Sequence, residues 1–149
     1  MSARTSYLDA GVLKAMSGLA AAAKKGLDDP VLAELVMIRA SQINECAFCL
    51  DMHVDVAVEK NGESAKRIAL LNAWREAGDL YSARERAALA LTEAITVLTD
   101  GFVPDDVYAA AAKEFNETEL AHLIGVITVI NSWNRLMVSR RIAPGGPAW

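Results

Sequence analysis

The chain has 149 residues, the length of one ordinary domain, and 53% of them are hydrophobic against 23% that are charged. This composition excludes an intrinsically disordered chain and a collagen-like repeat. The formal net charge is -4 at pH 7, and Lys and Arg are scattered, so neither nucleic acid nor an anionic membrane surface is an expected partner. We expect one domain over residues 1–149, with its core at about 30–140.

Apolar residues recur at helical spacing almost throughout, and no strand-like alternation persists, which predicts an all-α fold. Gly26 is the expected left-handed end of the first helix, and Asn44 is a candidate N-cap for the third. Capping-box patterns begin the fifth helix at Ser82 and the seventh at Asn116. The second predicted helix begins at residue 30 and weakens at 41–44. The other predicted helices cover residues 7–24, 45–60, 64–78, 82–98, 104–115 and 116–141, and residues 144–149 form an irregular tail.

The cysteine content indicates the compartment. Cys46 and Cys49 are the only two cysteines, so the chain lacks the disulfide framework of small secreted domains. No stretch of 18 apolar residues is uninterrupted, and residues 7–23 contain too many polar positions for a signal peptide. We therefore expect a cytoplasmic protein with no membrane span. A chain this apolar is also expected to bury part of its surface in a homo-oligomer.

The residues that can carry chemistry concentrate in segment 46–53, CAFCLDMH. At about 100° per residue, Cys46, Cys49 and His53 project from one helical face. A position in the first turn of a helix directs free N–H groups and the positive end of the helix dipole at the sulfur of Cys46, which favours its thiolate. His53 follows Cys49 at the spacing at which helical side chains touch, so it can exchange a proton with that thiol.

Several interpretations of this segment stay open at this point. A reactive dithiol is the favoured one, and Glu34 can join it if the chain turns at 41–44. C-x2-C-x3-H could instead supply three zinc ligands, or the cysteines could be inert packing residues. A c-type haem is excluded because Leu50, rather than His, follows the second cysteine. The other histidine, His122, has no Cys or His at metal spacing and is predicted to be a packing or interface residue.

Four segments and one carboxylate resemble the alkylhydroperoxidase D (AhpD)-like proteins of the carboxymuconolactone decarboxylase superfamily. They are Glu34 and residues 41–53 (SQINECAFCLDMH), 71–75 (LNAWR), 82–90 (SARERAALA) and 130–135 (INSWNR). The resemblance implies an all-α AhpD-like fold of six or seven helices with the CxxC at the start of a core helix. It also implies a homo-oligomer, commonly a trimer or a hexamer.

The resemblance also implies a chemistry. It makes Cys49 the peroxidatic cysteine, Cys46 the resolving cysteine, and His53 with Glu34 a proton relay that activates the thiol. The implied activity is a thiol-dependent peroxidase that reduces hydrogen peroxide or organic hydroperoxides and is regenerated by an external dithiol, with no cofactor and no metal. The helix-dipole argument alone favours Cys46 as the activated sulfur, so the two lines of reasoning differ on this point.

Two positions depart from the pattern of the family. Phe48 stands where the best-studied peroxidase members have a His just before the second cysteine, which removes a polar member of the relay. Glu45 precedes the first cysteine, where Gly is frequent in similar sequences. The decarboxylase that names the superfamily lacks the CxxC, so the resemblance does not imply lactone decarboxylation.

Overall fold

The computed structural model describes residues 2–147, and within them it contains seven α-helices and no strand. The helices are α1 (Ala10–Leu27), α2 (Pro30–Ile43), α3 (Ala47–Asp55), α4 (Ala65–Leu70), α5 (Ala83–Thr96), α6 (Asp105–Glu114) and α7 (Glu117–Arg140). A π-helical turn (Val56–Lys60) extends α3. The all-α prediction is confirmed. Of the predicted tail, 144–147 form turns and irregular structure, and the last two residues lie outside the described range.

Helix α2 is the centre of the fold, because no side of it reaches solvent along its middle. Every residue from Leu32 to Ile38 is buried, and α1, α3, α5 and α7 all pack against this helix. A helix that is buried on all sides is apolar on all sides, and the only polar residues of α2 that are buried are Glu34 and Ser41. Buried polar groups need partners, so these two side chains mark where α2 meets its polar contacts.

Helix α7 is one of the main supports of the central helix. It packs against α1 and α2, and its residues Val126, Ile127, Val129 and Ile130 are buried. The β-branched content of this stretch resembles a strand, but the segment is helical, as predicted. Its N-terminus carries the predicted capping box, in which Asn116 and Glu119 bond each other's backbone N–H.

The end of α1 differs from the prediction. The helix passes through Gly26 and ends at Leu27, and its C-cap Asp28 adopts the left-handed conformation with a φ of 51°. A glycine is required at position 26 because α7 packs closely here, and a Cβ at this position would lie 2.0 Å from the imidazole of His122. His122 thus packs closely on α1, and its Nδ1 lies 2.7 Å from the carbonyl oxygen of Thr118.

The predicted fourth helix is broken. Helix α4 ends at Leu70 and continues as 3₁₀ turns over Leu71–Glu76 and Gly78–Leu80. In a 3₁₀ turn, residues three apart lie on the same side, so Leu71 and Trp74 both face the core. Tertiary packing therefore outweighs the local preference for an α-helix here. Across the described residues, no helix has the length and apolarity needed to span a membrane.

Candidate active site

The turn between α2 and α3 places the two cysteines. Asn44 is the C-cap of α2, and Cys46 is the N-cap of α3, so the prediction of Asn44 as the N-cap is wrong. Instead, the Asn44 side-chain amide donates hydrogen bonds to Asn131 and Asn134 of α7. Glu45 between the two caps has a φ of 53°, in the left-handed region that favours glycine.

Cys46 and Cys49 form a disulfide at the start of α3, and each is only 1% exposed. The backbone N–H of Cys49 points at the Cys46 sulfur at 3.4 Å, and the N–H of Cys46 donates to the carbonyl oxygen of Ser41 at 3.0 Å. The first contact is the N-cap bond of the helix, made by sulfur in place of oxygen. The expected position of the CxxC at the start of a core helix is confirmed.

A buried carboxylate joins the site from α2. Glu34 is 3% exposed; its Oε2 lies 2.6 Å from Nδ1 of His53, and its Oε1 accepts a hydrogen bond from Nζ of Lys24 at 2.7 Å. Burial raises the pKa of Glu34, but the hydrogen bonds and positive charge of His53 and Lys24 outweigh it and hold the pKa below its usual value. The condition that the chain turn at 41–44 is met, and Glu34 and His53 come together.

The contact with Glu34 also orients the imidazole. When Nδ1 of His53 donates to the carboxylate, Nε2 is left as the basic nitrogen. His53 is 6% exposed, lies one helical turn after Cys49, and lines the same cavity as that cysteine. The arrangement gives a base, oriented by a carboxylate, beside the second sulfur of the disulfide.

Sequence reasoning missed Lys24. It lies on α1, and its side chain is 38% exposed, so it links the buried carboxylate to the rim of the site. The sequence contains an indirect signal for it: Glu34 is the one charged residue in the apolar stretch 31–38, and a buried carboxylate requires a cationic partner. Which Lys or Arg supplies the charge depends on how α1 packs on α2, and no local pattern gives that packing.

A cavity of about 240 Å³ opens beside Cys49 and His53. Its wall is mostly apolar, and Phe48 forms part of it at the position where a relay histidine was expected from the family pattern. Trp133 also forms part of the wall. The remaining lining residues are Ser17, Ala20, Lys24, Met37, Met52 and Met137. Such a wall suits an organic group rather than a highly charged one.

A second cavity, of about 290 Å³, lies on the Cys46 side of the disulfide. It is formed where the start of α3 faces the end of α7 and the segment that follows it. Its lining residues are Glu45, Cys46, Ala47, Met137, Val138, Arg141, Ile142, Ala143 and Pro144. The two cysteines therefore line different cavities.

A buried polar network fixes the turn that carries Cys46. The Ser41 hydroxyl donates to the carbonyl oxygen of Met37 at 2.7 Å and accepts from the Asn134 amide at 3.0 Å. The Asn44 amide donates to the side-chain oxygens of both Asn131 and Asn134 at 2.9 Å. Two of the segments that carry the family resemblance, 41–53 and 130–135, are thus hydrogen-bonded to each other.

The zinc interpretation finds no support in the described part of the chain. Within residues 2–147, no group of three or more His, Cys, Asp or Glu side chains is arranged to hold a metal ion.

Fold and site together define an all-α protein with a helix-capping CxxC disulfide next to a buried Glu–His pair. The sequence profile of the carboxymuconolactone decarboxylase family matches residues 10–94, and the chain belongs to this family. The chain is 40% identical over 141 residues to the uncharacterized protein YdfG of Bacillus subtilis, covering 93% of this chain and 95% of that one. It is 36% identical to the uncharacterized protein YnjA of Escherichia coli over 112 residues, covering 73% of this chain and 60% of YnjA.

Solved structures agree with the AhpD-like resemblance. The protein of unknown function ATU0492 of Agrobacterium tumefaciens, described as a candidate antioxidant defence protein AhpD, superimposes with a TM-score of 0.89 at 32% identity. The match covers 96% of this chain and 98% of ATU0492. An uncharacterized peroxidase-related protein from Silicibacter sp. TM1040 has a TM-score of 0.74 at 19% identity, covering 91% of this chain and 71% of that one, and shares the fold. The predicted AhpD-like fold is confirmed.

Proposed function

We propose that the protein is a thiol-dependent peroxidase that reduces hydrogen peroxide or organic hydroperoxides through a dithiol/disulfide cycle of Cys46 and Cys49. The observation that carries this proposal is the disulfide at the start of α3 with the buried Glu34–His53 pair beside it. Two sulfurs that can form a bond, next to an oriented base, are the requirements of a two-electron thiol cycle. Membership of an AhpD-like group supports the same activity.

In the proposed cycle Cys49 attacks the peroxide, because it shares its cavity with His53. His53 takes the thiol proton on Nε2, and Glu34 stabilises the imidazolium that results. The thiolate attacks one peroxide oxygen, the O–O bond breaks, and the leaving oxygen takes the proton from His53 to give water or an alcohol. Cys49 is left as a sulfenic acid.

Cys46 then completes the oxidative half of the cycle by forming the disulfide. Its sulfur attacks the sulfenic sulfur of Cys49, the S–O bond breaks, and water leaves with the Cys46 thiol proton. The sum is one hydroperoxide and two thiols converted to one alcohol, one water and one disulfide. An external dithiol restores the two thiols and becomes a disulfide itself.

The test separates the two cysteines. In C46S the first step remains possible, so a stoichiometric amount of hydroperoxide should yield a sulfenic acid that dimedone traps at Cys49. In C49S no such adduct should form, and in both variants steady-state peroxide turnover should be lost. An equal adduct in C49S would assign the attack to Cys46, and full turnover by C49S would rule out the mechanism.

A dithiol oxidoreductase without peroxide specificity is the second candidate. Phe48 favours it, because an apolar ring lines the cavity where a further proton-transfer group is expected in a peroxidase. The assay compares the rates at which a hydroperoxide and a small disulfide oxidise the reduced protein. A hydroperoxide rate no faster than that of the disulfide would favour this second candidate.

We also propose that the protein is a homo-oligomer, a trimer or a hexamer. Exposed apolar side chains cluster in and near the α5–α6 connection, where Phe102 is 73% and Leu98 is 53% exposed. Exposed apolar groups of this kind are typical of protein interfaces. Sedimentation at the monomer mass would contradict the proposal.

A further inference from the structure

Cys46 and Cys49 line different cavities on either side of their disulfide. The first cavity contains Cys49 and His53, and the second contains Cys46. Met137 is the one residue that lines both, and it is 2% exposed, so its side chain separates them. A molecule in one cavity therefore meets one sulfur, and a molecule in the other cavity meets the other.

We propose that the two half-reactions use these two cavities separately, with the hydroperoxide reaching Cys49 through the first and a small dithiol reductant reaching Cys46 through the second. The inference rests on the proposed function, since it assigns the two substrates of that cycle to opposite sides of one bond. Its new content is the route of the reductant and the sulfur that the reductant attacks.

Burial determines the size of this reductant. Each sulfur belongs to a residue that is only 1% exposed, so a thiol must enter a cavity to reach it. A second cavity of about 290 Å³ admits a small molecule. The reductant is therefore a low-molecular-weight dithiol.

Each step of the proposed reduction has its own leaving group. One thiol of the reductant loses its proton to solvent and attacks the sulfur of Cys46, the Cys46–Cys49 bond breaks, and Cys49 leaves as a thiolate into the cavity of His53, where it takes up a proton from solvent. The second thiol of the reductant then attacks the reductant sulfur bound to Cys46. The reductant departs as a cyclic disulfide, and Cys46 is released and takes up the remaining proton.

The second leaving group is also stabilised. Cys46 is the N-cap of α3, and the N–H of Cys49 already points at its sulfur. Free N–H groups at a helix N-terminus favour a thiolate. Attack at Cys46 thus releases Cys49 beside an imidazole and then Cys46 at a helix terminus, whereas attack at Cys49 would leave the imidazole on the attacked side.

The experiment uses two exposed lining residues as a matched pair. Ala143 lines only the second cavity and Ser17 only the first, and each is replaced with Phe. Stopped-flow tryptophan fluorescence follows reduction of the oxidised protein by dithiothreitol and oxidation of the reduced protein by cumene hydroperoxide. We expect A143F to slow reduction by about tenfold, equivalent to about 1.4 kcal/mol of activation free energy, and S17F to slow oxidation instead.

A reduction rate that A143F leaves unchanged, or that S17F slows equally, would overturn the proposal. A second measurement on the wild-type protein is independent of both variants. Reduction by glutathione is quenched with N-ethylmaleimide and mapped by mass spectrometry, and we expect glutathione on Cys46 and maleimide on Cys49. The opposite labelling overturns the proposal. Reduction needs no peroxide, so a failure of peroxidase activity would appear only in the oxidation arm.

Discussion

The buried carboxylate of the site offers the sharpest test of its electrostatics. Glu34 is 3% exposed and accepts bonds from His53 and Lys24 at 2.6 and 2.7 Å. Charge-assisted hydrogen bonds each contribute about 1.5–3 kcal/mol. The Lys24 side chain is 38% exposed and can regain water in a variant, so its share is discounted. We expect E34Q to lower the free energy of unfolding by about 2–4 kcal/mol at pH 7.

The direction of the Glu34 pKa shift predicts how the stability difference between wild type and E34Q changes with pH. Burial raises the pKa of Glu34, but His53 and Lys24 together hold it below its ordinary value of 4.5. A carboxylate with a depressed folded-state pKa stabilises the protein above the unfolded-state value, and this contribution is lost as the pH falls through the folded-state pKa. The difference in stability between wild type and E34Q should therefore shrink below about pH 4.5.

Urea denaturation of the oxidised protein, followed by tryptophan fluorescence from pH 7 to pH 3, measures this difference. E59Q is the matched control, because Glu59 is an exposed glutamate whose replacement should change stability by no more than about 0.5 kcal/mol. A penalty for E34Q that stays constant across the range, or a variant more stable than wild type at pH 7, would refute the reasoning.

Three further substitutions test the surroundings of the site. G26A should lower stability by about 1–3 kcal/mol through the clash with His122, and H122A in the same chain should restore most of it; an unaltered melting temperature in G26A would contradict the contact. K24M removes one of the two cations beside Glu34, so acid-induced loss of stability should begin at a higher pH than in wild type, which circular dichroism at stepped pH detects. N134A should cost about 1–3 kcal/mol in urea denaturation, because it removes the buried hydrogen bonds that Asn134 makes with Ser41 and Asn44, and a variant as stable as wild type would contradict this.

The sequence predicted the helices best where the signal was local. The capping boxes that begin α5 at Ser82 and α7 at Asn116 involve residues within one turn of each other, and both are confirmed. Gly26 shows the opposite case. A glycine near a helix end is a stop signal by local rules, yet this one lies inside α1 because a ring 96 positions later occupies the space of its Cβ. Contacts between distant segments leave no mark in a local window.

The candidate site divides in the same way. The spacing of Cys46, Cys49 and His53 is a property of one helix, and it was available from the sequence. The sequence placed Glu34 in the site only on the condition that the chain turns before α3. Lys24 was not available, because its contact with Glu34 depends on how α1 lies across α2, and α1 carries several lysines of equal local character.

The conflict over which sulfur is activated has a physical resolution within the proposed cycle. The dipole argument favours Cys46, and this residue is indeed the N-cap of α3. The resemblance favours Cys49, and this residue shares a cavity with His53. The two stabilising features act on different sulfurs, so they serve different steps: the imidazole prepares Cys49 to attack a peroxide, and the helix terminus stabilises Cys46 when a reductant releases it. In this cycle the imidazole stabilises the charge on the Cys49 thiolate, and the backbone N–H groups stabilise the charge on the Cys46 thiolate, so each thiolate can form in turn.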